Sequence, residues 1–250
     1  MDGYSLSERA LHASLLILTF VTGLVDAASF VSMGHVFTAN MTGNVIFLAL
    51  ASMGVPELSI NRSATALIAS VAGGIAAGRI DLWLSSRRRK EWFAVSLVVE
   101  TALLFIAMLV AWKYNWGTVL SSTSLYVVIA LTAFGMGIRN GTIRKLGVPE
   151  LTTTVLTFTV AGLAAESSLA GGTNPHWFRR VASIVMMFAG AGIGVLLLRH
   201  SLTLLFAVAS ALSALCAGIQ IYRDETAQET KVSASKTLFE KSRLQGLDVR

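Results

Sequence analysis

Gly23-Leu-Val-Asp-Ala-Ala-Ser-Phe-Val-Ser-Met-Gly-His-Val-Phe-Thr-Ala-Asn-Met-Thr-Gly-Asn44 is the stretch whose reading decides the fold. It lies within an apolar sequence yet carries Asp26, His35, Asn40, Thr42 and Asn44, with glycines at 23, 34 and 43. A helix facing lipid avoids such groups, because an unpaired buried polar atom is costly. Glycines beside small polar residues suit close helix packing, or a helix interrupted at membrane depth.

The chain around this stretch is 54% hydrophobic and 14% charged, against roughly 25% charged in a soluble domain. Its mean hydropathy is +0.67. Eight apolar segments follow one another: 12–32, 36–54, 63–84, 92–112, 121–140, 150–168, 178–198 and 201–221. Several approach the roughly 20 residues that cross a bilayer core. Long stretches lack the charged face of a soluble surface helix. The expected fold class is therefore all-α, a polytopic transmembrane bundle with residues 1–221 as one domain. From Ile221 the composition turns mixed-charge, and residues 222–250 read as a polar, flexible tail, with Leu238-Phe239 the one apolar spot.

The net charge of +6 does not indicate nucleic acid, because the basic residues cluster at the ends of apolar segments. Cys216 stands alone in an apolar run and reads as a small buried hydrophobe. His12, His35, His176 and His200 form no i, i+4 pair, and no HExxH, GxSxG or phosphate-loop motif occurs. The sequence thus predicts no catalytic residues, no metal and no cofactor. Trp83, Trp92, Trp112, Trp116 and Trp177 stand near segment ends, as interfacial aromatics do.

The segments repeat. Gly23-Leu-Val-Asp26 aligns with Gly137-Ile-Arg-Asn140, and Phe37-Thr-Ala-Asn-Met-Thr-Gly-Asn44 aligns with the Thr-rich run 152–159, pairing Met41-Thr42 with Leu156-Thr157. The halves are about 10–112 and 121–221. Basic residues then set the topology. If 36–54 and 150–168 enter without crossing, six spans remain, and the cytoplasmic side holds seventeen Lys and Arg against three outside, Arg62, Lys113 and Arg199. Eight spans give almost no bias. Seven spans, with 36–54 crossing, give sixteen to four, so charge alone leaves six and seven open. Six spans place three crossings in each half, so the halves are inverted and the short segments enter from opposite faces. That is the pattern of many secondary transporters.

At Gly23-Leu-Val-Asp-Ala-Ala-Ser-Phe30 and Phe37-Thr-Ala-Asn-Met-Thr-Gly-Asn-Val45 the chain resembles the YoaK-like family of bacterial multi-span membrane proteins, whose function is unassigned. Gly137-Ile-Arg-Asn140 and Glu150-Leu-Thr-Thr-Thr-Val-Leu-Thr157 carry the resemblance into the second half, and it covers roughly residues 10–220. Membership implies an inner-membrane protein and supplies no substrate or cofactor.

The candidate solute or coupling residues are Asp26, Asn40, Thr42, Asn44, Glu100, Arg139, Asn140 and Thr157. Asp26 and Glu100 lie deep enough to need a partner or a wet cavity, either to couple a proton or to fasten one span to another. Arg139 is the natural partner of either acid, and His35 a second candidate beside Asp26. Asn40, Thr42 and Asn44 read as a helix break whose free N–H groups suit a carboxylate, or else as an interhelical hydrogen-bond cluster. Thr152, Thr153, Thr154, Thr157 and Thr159 read as the lining of a polar path, or as hydroxyls that satisfy their own i−4 carbonyls. Glycines 73, 74 and 78, and 190, 192 and 194, read as close packing, with Gly74 and Gly78 at the spacing of a helix contact. These features predict a small permease with the bilayer, an unknown small solute and protons as partners. They leave a homo-oligomer open, and a non-transporting membrane scaffold is the alternative. The tail is expected in the cytoplasm.

Overall fold

The computed structural model describes residues 6–84, 89–112, 122–147, 156–174 and 176–245. Eight helices follow in order: α1 Leu6–Ser32, α2 Met41–Ser52, α3 Ile60–Leu84, α4 Arg89–Ala111, α5 Ser122–Leu146, α6 Leu156–Ala165, α7 Trp177–Leu198 and α8 Leu202–Gln245, with a 3-10 turn at Ser168–Ala170. Six of them (α1, α3, α4, α5, α7 and the Leu202–Arg223 part of α8) are long and apolar enough to span a membrane. A helix satisfies its own backbone, which is why apolar runs fold this way in lipid. At 1.5 Å per residue, α2 is about 18 Å long and the described part of α6 about 15 Å, against roughly 30 Å of hydrocarbon. Neither crosses, and the seven-span alternative falls with α2.

Helix directions follow from paired contacts. Gly73 lies against Phe134, Gly137 against Ser70 and Gly141 against Ala77, so α3 and α5 run parallel. Gly190 lies against Phe20, and Gly194 against Leu24 and Ala27, so α1 and α7 are parallel too. The Thr203 hydroxyl donates to the Ala111 carbonyl and the Ser213 hydroxyl to Glu100, which makes α4 and α8 antiparallel. Glu100 meets Arg139 while Leu103 lies beside Gly135, so α4 and α5 are antiparallel. The Gln220 amide reaches Ser14, whereas Ser213 shares Arg139 with Leu18 and Thr22, so α1 and α8 are antiparallel. Together these set α1 antiparallel to α5. The halves are inverted on geometry alone.

The packing is two-fold. Exchanging α1–α4 with α5–α8 maps every packed pair onto another: α3·α5 onto α1·α7, α4·α5 onto α1·α8, and α2·α3 onto α6·α7, while α4·α8 and α1·α5 map onto themselves. Burial agrees. The spans of α1 and α5 are 72% and 61% buried, α4 and α8 44% each, and α3 and α7 22% each. So α1 and α5 are central, and α3 and α7 present apolar side chains such as Ile68, Ile75, Val185 and Phe188 to lipid. The main core joins Val21, Leu24, Leu104, Ile129, Met136, Leu205 and Phe206, and a second cluster gathers Leu15, Leu18, Phe93, Ile143 and Cys216.

Four expectations change. The segment predicted at 36–54 is helical only from Met41, because Gly34 and His35 turn left-handed, with φ 81° and 57°, and the chain is extended or bent up to Asn40. The polar stretch after Ile221 continues the α8 backbone as helix to Gln245. Trp92 is buried, its indole N–H directed at the Ala77 carbonyl (3.4 Å), so it belongs to the α3–α4 contact and not to an interfacial belt. Gly78 has open space around it and takes no part in the helix crossing, which runs over Ser70, Gly73, Gly74 and Ala77. Trp116 and Thr152 to Thr154 lie outside the described residues.

Candidate functional site

Asp26 lies about 9 Å, six residues at 1.5 Å per residue, before the end of α1 at Ser32. The chain leaves α1, turns at Gly34-His35 and folds back to this depth. There the Asp26 Oδ1 accepts the N–H groups of Thr38 (3.2 Å) and Ala39 (2.9 Å), and Oδ2 accepts the Asn40 amide. From that point α2 runs outward again. The segment is thus re-entrant, and the carboxylate expected at the break is the protein's own Asp26. Asn40 is the residue before α2 but makes no side-chain cap bond, since its amide is turned to Asp26. Asn44, fully buried, closes the loop from the other side: its Oδ1 accepts the Phe37 N–H (2.9 Å) and its Nδ2 donates to the Phe37 carbonyl. Phe37 stacks between Phe30 and Phe47, each 5.4 Å away, and its ring fills the space a side chain at position 43 would need. His35 stands edge-on to Phe30 (4.9 Å), and no hydrogen bond joins it to Asp26 among the described residues.

The second half reaches the same loop. Asn140 Nδ2 donates to the Ala39 carbonyl (3.4 Å), so the aligned positions Asp26 and Asn140 hold the N–H and C=O of one residue. Asn44 and Thr159 are likewise aligned, and each is the buried residue of its short helix. Thr42 and Thr157, each two positions before the buried residue of its helix, are exposed and stand outside the cluster. A helical side chain two positions away points about 200° round the axis, and a local reading of polar residues does not sort such neighbours.

A separate polar centre lies deeper. Arg139 and Glu100 form a fully buried ion pair, Nε to Oε2 at 2.7 Å and Nη2 to Oε1. Nη1 donates to the Leu18 carbonyl (2.8 Å) and the Thr22 hydroxyl (2.9 Å), and Nη2 also faces the Ser213 Oγ at 3.5 Å. Ser213 in turn donates to Glu100 Oε1 (2.8 Å). All five guanidinium N–H groups therefore have acceptors, drawn from α1, α4 and α8. Arg139 pairs with Glu100 and not with Asp26. Being buried, it also leaves the count of topology-setting charges, which becomes sixteen to three. Thr22 and Ser213 were not singled out from the sequence; Thr22 lies one turn before Asp26 on the same face, which is the signal that marks it.

Among the described residues, eight helices, six of them long and apolar enough to span, inverted halves and a re-entrant short helix define a polytopic α-helical membrane protein with inverted-repeat architecture. The chain belongs to a family described as a protein of unknown function, DUF1275, whose profile matches residues 14–219. It is similar to the UPF0700 transmembrane protein YoaK of Bacillus subtilis (strain 168), with 34% identity over 161 residues. That alignment takes in 62% of this chain and 65% of the relative. No solved structure matches the chain.

Proposed function

We propose that this protein is a small secondary transporter of the bacterial cell membrane, without catalytic chemistry, that passes a small solute between its two related units. The observation that carries the reading is the inverted two-fold packing with a short helix starting at membrane depth beside buried polar groups, the arrangement in which transporters hold solutes and ions. Asp26, Asn40, Asn44 and Asn140 surround the re-entrant loop at the end of α1, and the paired core around Arg139 is the closed part of the path. Protons are the coupling ion the site suits, with Asp26 the group that would take one, since among the described residues no Lys, Arg or His pairs with it. In this reading the tail and Lys145 face the cytoplasm and Lys113 the outside.

A second reading, a non-transporting scaffold, is favoured by one observation: Asn44, Glu100 and Arg139 are buried and fully paired. The two part company in proteoliposomes. A solute panel is screened for thermal stabilisation and for uptake driven by an imposed pH gradient, in wild type and Asp26→Asn. The transporter reading expects one solute class to stabilise and accumulate, with gradient dependence lost in Asp26→Asn. Absence of both effects across the panel leaves the scaffold. Orientation is read separately by single-cysteine labelling in a Cys216→Ser background: labels at 90 and 145 should react from the cytoplasm and one at 113 from outside.

A further inference from the structure

Sequence halves suggest that residues 10–112 rock against 121–221, but the close contacts do not follow that division. Gly23 and Gly190 bring the α1 and α7 backbones together: a Cβ on Gly23 would fall 2.7 Å from the Ala191 nitrogen and against the Met187 carbonyl, and one on Gly190 against the Phe20 carbonyl. Their counterparts Gly137 and Gly73 do the same for α5 and α3, with the Ile138 nitrogen 3.0 Å from the place of a Cβ on Gly73. No side chain fits at any of the four. Backbone-on-backbone packing of this kind lets little relative motion occur, because any shear puts main-chain atoms into contact. Each close pair takes one helix from each half. The short helices go with them, α6 against α7 and α2 against α3.

Between these two groups the backbones approach closely only in one place, and the side chains of α1 and α5, among them Val21, Leu24, Ile129 and Met136, share one apolar core. The central helices α1 and α5 touch only over a short stretch. The polar links across are Arg139 of α5, donating to Leu18 and Thr22 of α1, and Asp26 of α1, accepting from Thr38, Ala39 and Asn40, with Phe30 of α1 stacked on Phe37 of the loop beside the second. The loop that Asp26 holds is anchored to the opposite group, by Arg62 of α3 on the Gly34 carbonyl (3.1 Å) and by Asn140 of α5 on Ala39. The chain joining α1 to that loop turns through two consecutive left-handed residues, Gly34 and His35. One side of the Asp26 bonds thus moves with α1 and the other with α3 and α5.

We infer that the moving bodies are α1–α6–α7 and α5–α2–α3, each made from both sequence halves, with Arg139 as their central pivot and Asp26 as a latch at the Ser32 end of α1. The paired helices α4 and α8 are the frame on which they turn. This deepens the transporter reading and rests on it for its purpose, while its geometry is tested without any solute.

Val31, Ile60 and Leu196 are exposed and lie at one end of the bundle, on α1, α3 and α7. Cysteines at Val31 with Leu196, and at Val31 with Ile60, are spin-labelled in the full chain carrying Cys216→Ser, in liposomes, and their distance distributions measured with and without Asp26→Ala. The swapped bodies predict one unchanged Val31–Leu196 population and a second, longer Val31–Ile60 population when Asp26 is removed. A change in Val31–Leu196, or no change in either pair, overturns the assignment. Should Asp26→Ala not fold, Asn40→Ala removes one donor from the latch, keeps the carboxylate on its two amides, and is read by the same distances and criteria. Motion without uptake of any solute would sink the transporter reading alone, whereas uptake with a static Val31–Ile60 distance would sink only the latch and bodies.

Discussion

Two buried carboxylates, Glu100 and Asp26, meet the same membrane by different means. Glu100 is neutralised by a guanidinium whose five donors all find acceptors on surrounding helices, so it joins elements already fixed by the core. Among the described residues Asp26 has neutral donors, the backbone amides of Thr38 and Ala39 and the side-chain amide of Asn40, all from a single eight-residue connection between α1 and α2. A paired charge in the bundle interior resists any change of partner. A carboxylate held by loop amides can exchange them for a proton or for water when the loop moves. The first arrangement staples and the second latches.

The largest test of this contrast is on the staple. Removing one member of a buried pair leaves an uncompensated charge, at a cost of about 3–5 kcal/mol. Arg139→Gln should therefore sharply lower the yield of folded protein and its unfolding midpoint in a detergent titration. Adding Glu100→Gln should recover most of the loss, because two neutral amides can hydrogen-bond where one charge could not remain. Adding Asp26→Asn should recover none, since Asp26 is not a partner of Arg139. Recovery through Asp26 would mean that the two acids share one network.

The latch should respond less, and locally. Hydrogen bonds to a charged group contribute about 1.5–3 kcal/mol each, but the amides of Thr38 and Ala39 can turn to water once the loop opens. Asp26→Ala is expected to speed amide hydrogen exchange across 36–44 while α4 and α8 keep their protection. Asp26→Asn, which retains a carbonyl to accept those amides, should lie between it and wild type. If Asp26→Ala unprotected α4 and α8 to the same degree, the latch would be a second staple.

How far the sequence carries follows from the kind of signal each feature leaves. Spans are written in apolar length, so six of them stand within a few residues of their expected places, and the Gly23–Asp26 and Gly137–Asn140 alignment survives because both ends are helix contacts. Thr42 and Thr157 group with Asn44 in the sequence because polarity along a short segment does not report which side of the helix faces inward; only the packing of α2 on α3 and α6 on α7 does. Arg139 counted as a topology charge for the same reason, since its burial depends on Glu100, thirty-nine positions away. Which helices move together is less visible still. It resides in the contacts of Gly23 with Met187 and of Gly137 with Ser70, each between segments far apart in the chain.

The smallest effect belongs to a third acid, and it shows what burial adds. Asp81 on α3 and Lys145 on α5 form a 2.6 Å ion pair with side chains 29% and 43% exposed. The geometry is as short as the one around Glu100, and the helices it joins are the same close pair that Gly73 and Gly137 already lock. Yet both groups keep much of their hydration, so breaking the pair leaves neither charge stranded. Exposed pairs contribute about 0–1 kcal/mol, and salt screens them. Lys145→Ala should thus shift the unfolding midpoint only slightly, and the shift should shrink as ionic strength rises, whereas the Arg139→Gln loss should be almost independent of salt because no counterion reaches that site. A salt-insensitive loss at Lys145 comparable to that at Arg139 would show that the C-terminal ends of α3 and α5 are sealed from water. The contrast between staple and surface pair would then have to be redrawn by depth in the membrane and not by exposure.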